Sequence, residues 1–245
     1  MADTATGWIH SWDLSTGVDG PGTRFVLFFS GCPLRCLYCA NPDTWRLRDG
    51  REVRVDEVMV EIDKYRAFIT TAGGGVTLTG GEPLLQPAFT GAVLRRCKEA
   101  GLHTALDTSG FLGPRATDGL LADTDLVLLD IKSFDAATYR ELTGGRLRPT
   151  LDFTTRLDRL GKRMWIRYVL VPGWTDDKQT VEGLAGFLAG LGSVERVDVL
   201  PFHKLGATKY EALGIPFPLR DASPPDAALV DRVRHQFRAH GLAAH

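Results

Sequence analysis

Short apolar runs alternate with longer amphipathic ones along this chain. β-Rich apolar runs fall at RFVLFF (24–29), VTLT (76–79), HTALDT (103–108), LVLLDI (126–131), RMWIRYVLV (163–171) and VDVLPF (197–202), and each predicts a strand. Between them apolar positions recur at helical spacing. In residues 54–72, Val58, Val60, Ile62, Tyr65, Phe68 and Ile69 follow that spacing and predict a helix. Segments 87–101, 135–144, 148–161, 176–192 and 224–241 share the pattern, with Asp or Thr near several starts and Gly near several ends. A strand followed by a helix, about six times over, predicts parallel βαβ units and an α/β fold. No Pro-rich linker, composition break or low-complexity segment interrupts the pattern. Residues 1–245 are therefore expected to form a single domain, with a core over about 20–205 and a short extension at either end.

Polar punctuation falls at or near the C-terminal ends of these runs: SGCPLRCLYC after the first, TGGEP after the second, DTSG after the third, DIK after the fourth, Arg167 within the fifth and LPFHKLG at the sixth. In a βα barrel those ends share one rim, where active sites sit. The expected architecture is a partial (β/α)6 barrel of parallel strands with outer helices.

Composition narrows the function classes. The 245 residues are 44% hydrophobic and 24% charged, ordinary for a chain with a sizeable core, and the net charge of −1 gives no global basic field for nucleic acid. MADTATGWIHSWD lacks a basic segment followed by an apolar run, so no signal peptide is expected, and no stretch is apolar enough to span a bilayer. The cytoplasm is the expected location.

Three of the four cysteines, Cys32, Cys36 and Cys39, form C-x3-C-x2-C. Cys97 lies three and four residues after Leu94 and Val93 and reads as a buried core thiol. The triplet admits three chemistries. A structural zinc site wants four closed ligands, and here His10 would have to close it. A disulfide with a spare thiol suits an oxidising compartment. A [4Fe–4S] cluster on three thiolates leaves one iron open to a small molecule. Other residues also read two ways. Gly80 and Gly81 alone would make a tight turn, Asp130 and Lys132 point the same way along a strand and would serve as an ion pair, and DGPG alone says turn. Arg167 in an apolar strand needs a partner if buried.

The spacing C-x3-C-x2-C with Tyr38 before the last cysteine, followed by GGEP, is the signature of radical S-adenosylmethionine enzymes. IHSW (9–12), 17–45, 73–86, 103–111, 124–132, 165–177 and 200–214 together resemble one family closely, the pyruvate formate-lyase-activating enzymes, which are glycyl radical enzyme activases. The resemblance implies that Cys32, Cys36 and Cys39 hold the cluster and that its open iron chelates S-adenosylmethionine. It places Tyr38 against the adenine, Gly80, Gly81 and Glu82 at the methionine amino group, and Asp130 and Lys132 near the ribose and carboxylate. Arg167 would meet the methionine carboxylate, and His203 would be a cofactor contact. Asp107, Thr108, Asp130 and the Leu128 carbonyl match ligands of a monovalent cation, and Asp19 in GVDGPG matches a contact to the glycine-bearing peptide. The implied partners are a glycyl radical enzyme, pyruvate formate-lyase, and a flavodoxin-like or ferredoxin-like reductant, with the chain acting as a monomer. Ala40 and Ser109 depart from the family, where His and Asn are usual. No inserted cysteine-rich segment for extra clusters is present, which favours the pyruvate formate-lyase type. A pure electron-transfer protein, a zinc-stabilised binding module, a radical enzyme for a small molecule and an activase of a different glycyl radical enzyme remain the alternatives.

Overall fold

The computed structural model describes residues 5–245; the first four residues of the N-terminal stretch read above for a targeting signal lie outside them. Among the described residues eight strands order as β3-β1-β2-β4-β5-β6-β7-β8 in one open sheet. The six expected strands are all present: β2 (Thr23–Phe29), β4 (Gly75–Gly80), β5 (His103–Thr108), β6 (Leu126–Asp130), β7 (Met164–Leu170) and β8 (Val194–Pro201). The pairs β2–β4, β4–β5 and β7–β8 are parallel. Two strands were not anticipated. β1 (Thr6–Thr16) runs antiparallel to β2, and β3 (Arg51–Arg54) runs antiparallel to β1. Residues 6–16, read as part of an N-terminal extension, are thus sheet.

The expected helices are α1 (Val55–Thr71), α2 (Pro87–Glu99), α4 (Ala136–Thr143), α5 (Arg148–Arg159), α6 (Lys178–Ala189) and α8 (Ala227–Ala239); two short ones, α3 (Asp118–Ala122) and α7 (Ala207–Ala212), join them. Their starts follow the expected chemistry. Asp135, Asp177 and Asp226 each accept a hydrogen bond from a backbone N–H in the first turn of α4, α6 and α8.

Contacts divide the chain into two compact units: Met1–Pro33 with Thr44–Thr108 and Leu112–Leu128, and Leu34–Asp43 with Ser109–Phe111 and Leu129–His245. In the first unit, β2 is buried at all but one position, as a strand covered on both faces must be. α1 buries Val55, Val58, Met59, Ile62 and Ile69, each contributing about 1.5–3 kcal/mol if fully desolvated. Val60 and Phe68, read as part of the same stripe, are instead exposed, at 60% and 57%. Tyr65 packs against Trp12 and Phe25 with ring centroids 5.3 and 6.1 Å apart. Cys97 is fully buried with its Sγ 4.0 Å from Met59 Sδ, a core thiol as expected.

In the second unit, β7 alternates between buried and half-buried positions. Met164, Ile166, Tyr168 and Leu170 take the buried face. Arg167 takes the other and is half-buried, not the fully interior guanidinium its apolar neighbours implied. The buried face is tied down by Tyr168, whose hydroxyl donates to the Thr175 carbonyl at 2.6 Å and whose ring meets Phe237 of α8 edge-on at 5.9 Å. Residues 243–245 pair along β8, with Val197 N donating to the Ala243 carbonyl at 2.8 Å and Val199 N to that of His245 at 2.9 Å.

Candidate functional site

The predicted residues fall in both units. Asp19, Cys32, Gly80, Gly81, Glu82, Asp107, Thr108 and Leu128 belong to the first, and Cys36, Tyr38, Cys39, Asp130, Lys132, Arg167 and His203 to the second.

In the first unit the end of β2 and the end of β4 are laced together through main-chain groups. Gly31 N donates to the Thr44 carbonyl at 2.7 Å and Cys32 N to that of Trp45 at 3.1 Å, while Gly81 N reaches the Phe29 carbonyl at 2.8 Å and Glu82 N that of Gly31 at 2.9 Å. This lacing explains the glycines. Gly80 has φ +105°, and a Cβ there would lie 2.4 Å from Phe29 N; one on Gly81 would lie 2.4 Å from the Gly31 carbonyl oxygen. The protein's own backbone demands both glycines before any ligand is considered.

Glu82 is buried and held from two directions. Its Oε1 accepts from Leu84 N at 3.2 Å and from the Thr108 hydroxyl at 2.7 Å. Asp107 Oδ2 accepts from the Thr79 hydroxyl at 2.7 Å. Carboxylates and hydroxyls from the ends of β4 and β5 thus form two buried hydrogen-bonded pairs, Asp107 with Thr79 and Glu82 with Thr108, of oxygen donors, the type that suits a hard cation. Leu128 lies buried within β6.

In the second unit the loop bearing Cys36 and Cys39 hangs on the last turn of α4. Arg35 N donates to the Thr143 carbonyl and Leu37 N to the Leu142 carbonyl, both at 2.8 Å, and Cys39 N closes a turn on the Cys36 carbonyl at 3.0 Å. These bonds use carbonyls that a helix C-terminus leaves without partners. From the other side α7 closes on the loop. A Cβ on Gly206 would lie 3.0 Å from the Cys39 carbonyl oxygen and 2.8 Å from Ala40 Cα. Lys209 Nζ donates to Asn41 Oδ1 at 2.8 Å and lies 3.0 Å from Asp43 Oδ2. Lys209→Met is expected to destabilise the protein by only about 0.5–1 kcal/mol, since the pair is half-exposed. Hydrogen exchange is expected to accelerate at residues 39–43 while the rest of the chain keeps its protection.

Beside this loop, Lys132 Nζ lies 2.8 Å from Asp130 Oδ2 and 5.7 Å from the centroid of the Tyr38 ring. Burial works against the lysine charge, but Asp130, Tyr38 and Cys36 override it and hold the Lys132 pKa well above its ordinary value. Burial pushes the Cys36 thiol up to about 11, with Lys132 opposing that shift. Burial also raises Tyr38 well above the usual phenol range, and its buried hydroxyl has no hydrogen-bond partner. Ile131 N donates to the Arg167 carbonyl at 3.2 Å, so the DIK turn and Arg167 are strand neighbours. His203 stands apart: its side chain is exposed, and its Nδ1 accepts from Leu205 N at 3.3 Å. Ser109 is buried and its carbonyl accepts from the Thr150 hydroxyl, whereas Ala40 is exposed.

None of the three clustered cysteines is in a disulfide. Among the described residues no group of three or more His, Cys, Asp or Glu side chains is preassembled for a metal ion. The donor set is nonetheless that of an iron–sulfur cluster, three soft sulfur donors within eight residues of sequence, and the buried Tyr38 hydroxyl lacks a hydrogen-bond partner. The residues present fit such a cluster.

The Radical SAM superfamily model matches residues 26–184. Over 237 residues the chain is 43% identical to the pyruvate formate-lyase 1-activating enzyme of Escherichia coli strain K12, covering 96% of each. It is 44% identical over 220 residues to the pyruvate formate-lyase-activating enzyme of Clostridium pasteurianum, covering 90% of this chain and 92% of that one. The chain belongs to the pyruvate formate-lyase-activating enzyme family of the radical SAM superfamily. A crystallised domain of the enzyme from Bacteroides vulgatus ATCC 8482 matches with a TM-score of 0.60 at 27% identity, over 70% of this chain and 98% of that one. Streptococcus suis SuiB bound to its precursor peptide SuiA shares the fold, with a TM-score of 0.68 at 15% identity over 90% of this chain and 48% of that one. No helix among the described residues is long and apolar enough to cross a membrane.

Lys209, Asn41, Asp43, Arg24 and Thr77 were not singled out from the sequence. Arg24 carried the one available signal, a charge adjoining an apolar run, but at the first position of its expected strand it reads as an end residue.

Proposed function

We propose that this chain activates pyruvate formate-lyase by generating a glycyl radical on it. The observation that carries this reading is near-full-length similarity to pyruvate formate-lyase-activating enzymes, together with the intact cysteine triplet. Cys32, Cys36 and Cys39 would hold a [4Fe–4S] cluster. When bound, the cluster supplies the electron that splits S-adenosylmethionine into methionine and a 5′-deoxyadenosyl radical, which takes a hydrogen atom from a glycine Cα of the partner.

The chain's own residues bind and orient. Gly80 and Gly81 let the β4 turn lie flat on the end of β2, which fixes the main-chain groups assigned to the methionine amino end. Glu82 is held immobile by Thr108 and Leu84 N and needs no reorganisation when the cofactor arrives. Lys132, kept charged by Asp130, places a cation beside the cysteine loop where the cofactor carboxylate is assigned. Tyr38 offers an aromatic body to the adenine, and Arg167 offers its guanidinium to the carboxylate. His203 is kept as a cofactor contact from the family alone. Asp107, Thr108, Asp130 and the Leu128 carbonyl are assigned to a monovalent cation from the family resemblance, and the burial of Asp107 and Thr108 is compatible with that role. Asp19 is assigned to the glycine-bearing peptide. A flavodoxin-like or ferredoxin-like donor would reduce the cluster, and we place the chain in the cytoplasm as a monomer. Residues 1–245 are read as one catalytic domain because the superfamily match extends across both compact units.

The test is anaerobic. The chain is reconstituted with iron and sulfide, reduced, and given S-adenosylmethionine with and without a pyruvate formate-lyase peptide containing the glycine. Formation of 5′-deoxyadenosine that rises with the peptide is expected. Equal product without the peptide would move the substrate elsewhere. Zinc without iron or sulfide would replace the reading with a structural metal site.

A further inference from the structure

Arg24 is fully buried in β2. An interior guanidinium normally answers a carboxylate. The hydrogen bonds of this one go to other groups: Nε donates to Thr77 Oγ1 at 2.8 Å, Nη2 to the Val76 carbonyl at 2.6 Å, and Nη1 to His103 Nδ1 at 3.1 Å, while Asp125 and Asp19 favour its charge through space. Because arginine only donates, His103 Nδ1 accepts here and its ring proton sits on Nε2.

The hydrogen bonds lead to the turn at 17–22. Thr77 is also fully buried, and with Arg24 donating into its oxygen its own proton goes to the Asp19 carbonyl at 2.6 Å. The turn rests directly on the guanidinium: a Cβ on Gly20 would lie 3.2 Å from Arg24 Nε. Gly17, Gly20 and Gly22 all have positive φ, at +80°, +119° and +67°, a run that only a specific anchorage holds in one shape. At its tip Val18 is 61% exposed beside the half-buried Asp19.

We propose that Arg24 and Thr77 are positioning residues that hold the Val18–Asp19 turn preformed for the glycine-bearing peptide of the partner, so that they set peptide affinity and not the rate of cofactor cleavage. This rests on the assignment of Asp19 to the peptide. The reconstituted holoprotein tests it. Thr77→Val keeps the volume and removes the hydroxyl, and Thr77→Ser keeps the hydroxyl. For Thr77→Val the KM for the peptide is expected to rise about tenfold, the loss of one buried hydrogen-bonding group, with kcat within about twofold of wild type. Amide exchange at residues 17–22 should accelerate in the same variant, and Thr77→Ser should restore both. Arg24→Met should reproduce the Thr77→Val pattern. Unchanged exchange and unchanged KM in Thr77→Val would overturn the proposal, as would a fall in kcat at unchanged KM. A wild-type protein with no peptide dependence would remove the activase reading instead, and the exchange comparison would still decide whether Arg24 and Thr77 hold the turn.

Discussion

Cys36→Ala is expected to reduce both bound iron and 5′-deoxyadenosine formation to background in the reconstituted protein. Three thiolates are the whole of the assigned ligand set, and no fourth cysteine can substitute, because Cys97 is sealed in the core. Two thiolates leave two irons of a cubane without protein ligands. The fold should survive. The loop is held by main-chain bonds from Arg35 and Leu37 to α4 and by α7 against Cys39 and Ala40, none of which uses the Cys36 side chain. The unfolding free energy of the metal-free variant is therefore expected to stay within about 1 kcal/mol of wild type. Cys97→Ala provides the contrast: iron content unchanged, with a stability loss on the order of 1 kcal/mol for the buried group removed. Iron retained by Cys36→Ala would show that this residue is not a ligand.

Gly80→Ala should have the largest effect on the fold. The residue sits at φ +105°, and its Cβ would lie 2.4 Å from Phe29 N and 2.7 Å from the Phe29 carbonyl oxygen. Backbone cannot yield as a side-chain tip can, so either β4 or β2 must move. Strain and displacement together should remove about 3–5 kcal/mol, lowering the midpoint of thermal unfolding by roughly 10 °C. Gly73→Ala separates the two terms. That residue also has positive φ, at +63°, but nothing lies within 4 Å of its Cβ position, so only the left-handed strain of about 1–2 kcal/mol remains. Equal losses in the two variants would mean that close approach at Gly80 contributes nothing.

The sequence carried most of the sheet because parallel strands covered on both faces are written as near-continuous apolar runs, as β2 and β6 are. β1 was invisible for the opposite reason. Its Trp8, Ile9, Trp12 and Leu14 are interleaved with polar residues, and it gains order from antiparallel pairing with β2, a long-range contact that no local pattern announces. In α1 six apolar positions span too wide an arc for spacing to say which are covered, and Val60 and Phe68 fall outside the packed face. α3 and α7, of five and six residues, are too short for periodicity to register.

The same division holds at the site. The cysteine spacing is local and legible. That Gly80 and Gly81 answer the ends of β2, that Glu82 is fixed by Thr108, and that Arg24 reaches Asp19 through Thr77 all depend on strands brought side by side, which the sequence does not display.

The most direct measurement is electron paramagnetic resonance on the intact partner. Reconstituted, reduced protein is mixed anaerobically with S-adenosylmethionine and pyruvate formate-lyase, then frozen. The predicted result is an organic radical on pyruvate formate-lyase whose hyperfine splitting changes when its glycine is α-deuterated, and which is absent without S-adenosylmethionine or with Cys36→Ala. A verified [4Fe–4S] cluster that cleaves S-adenosylmethionine yet leaves no radical on that glycine would contradict the assignment of the partner.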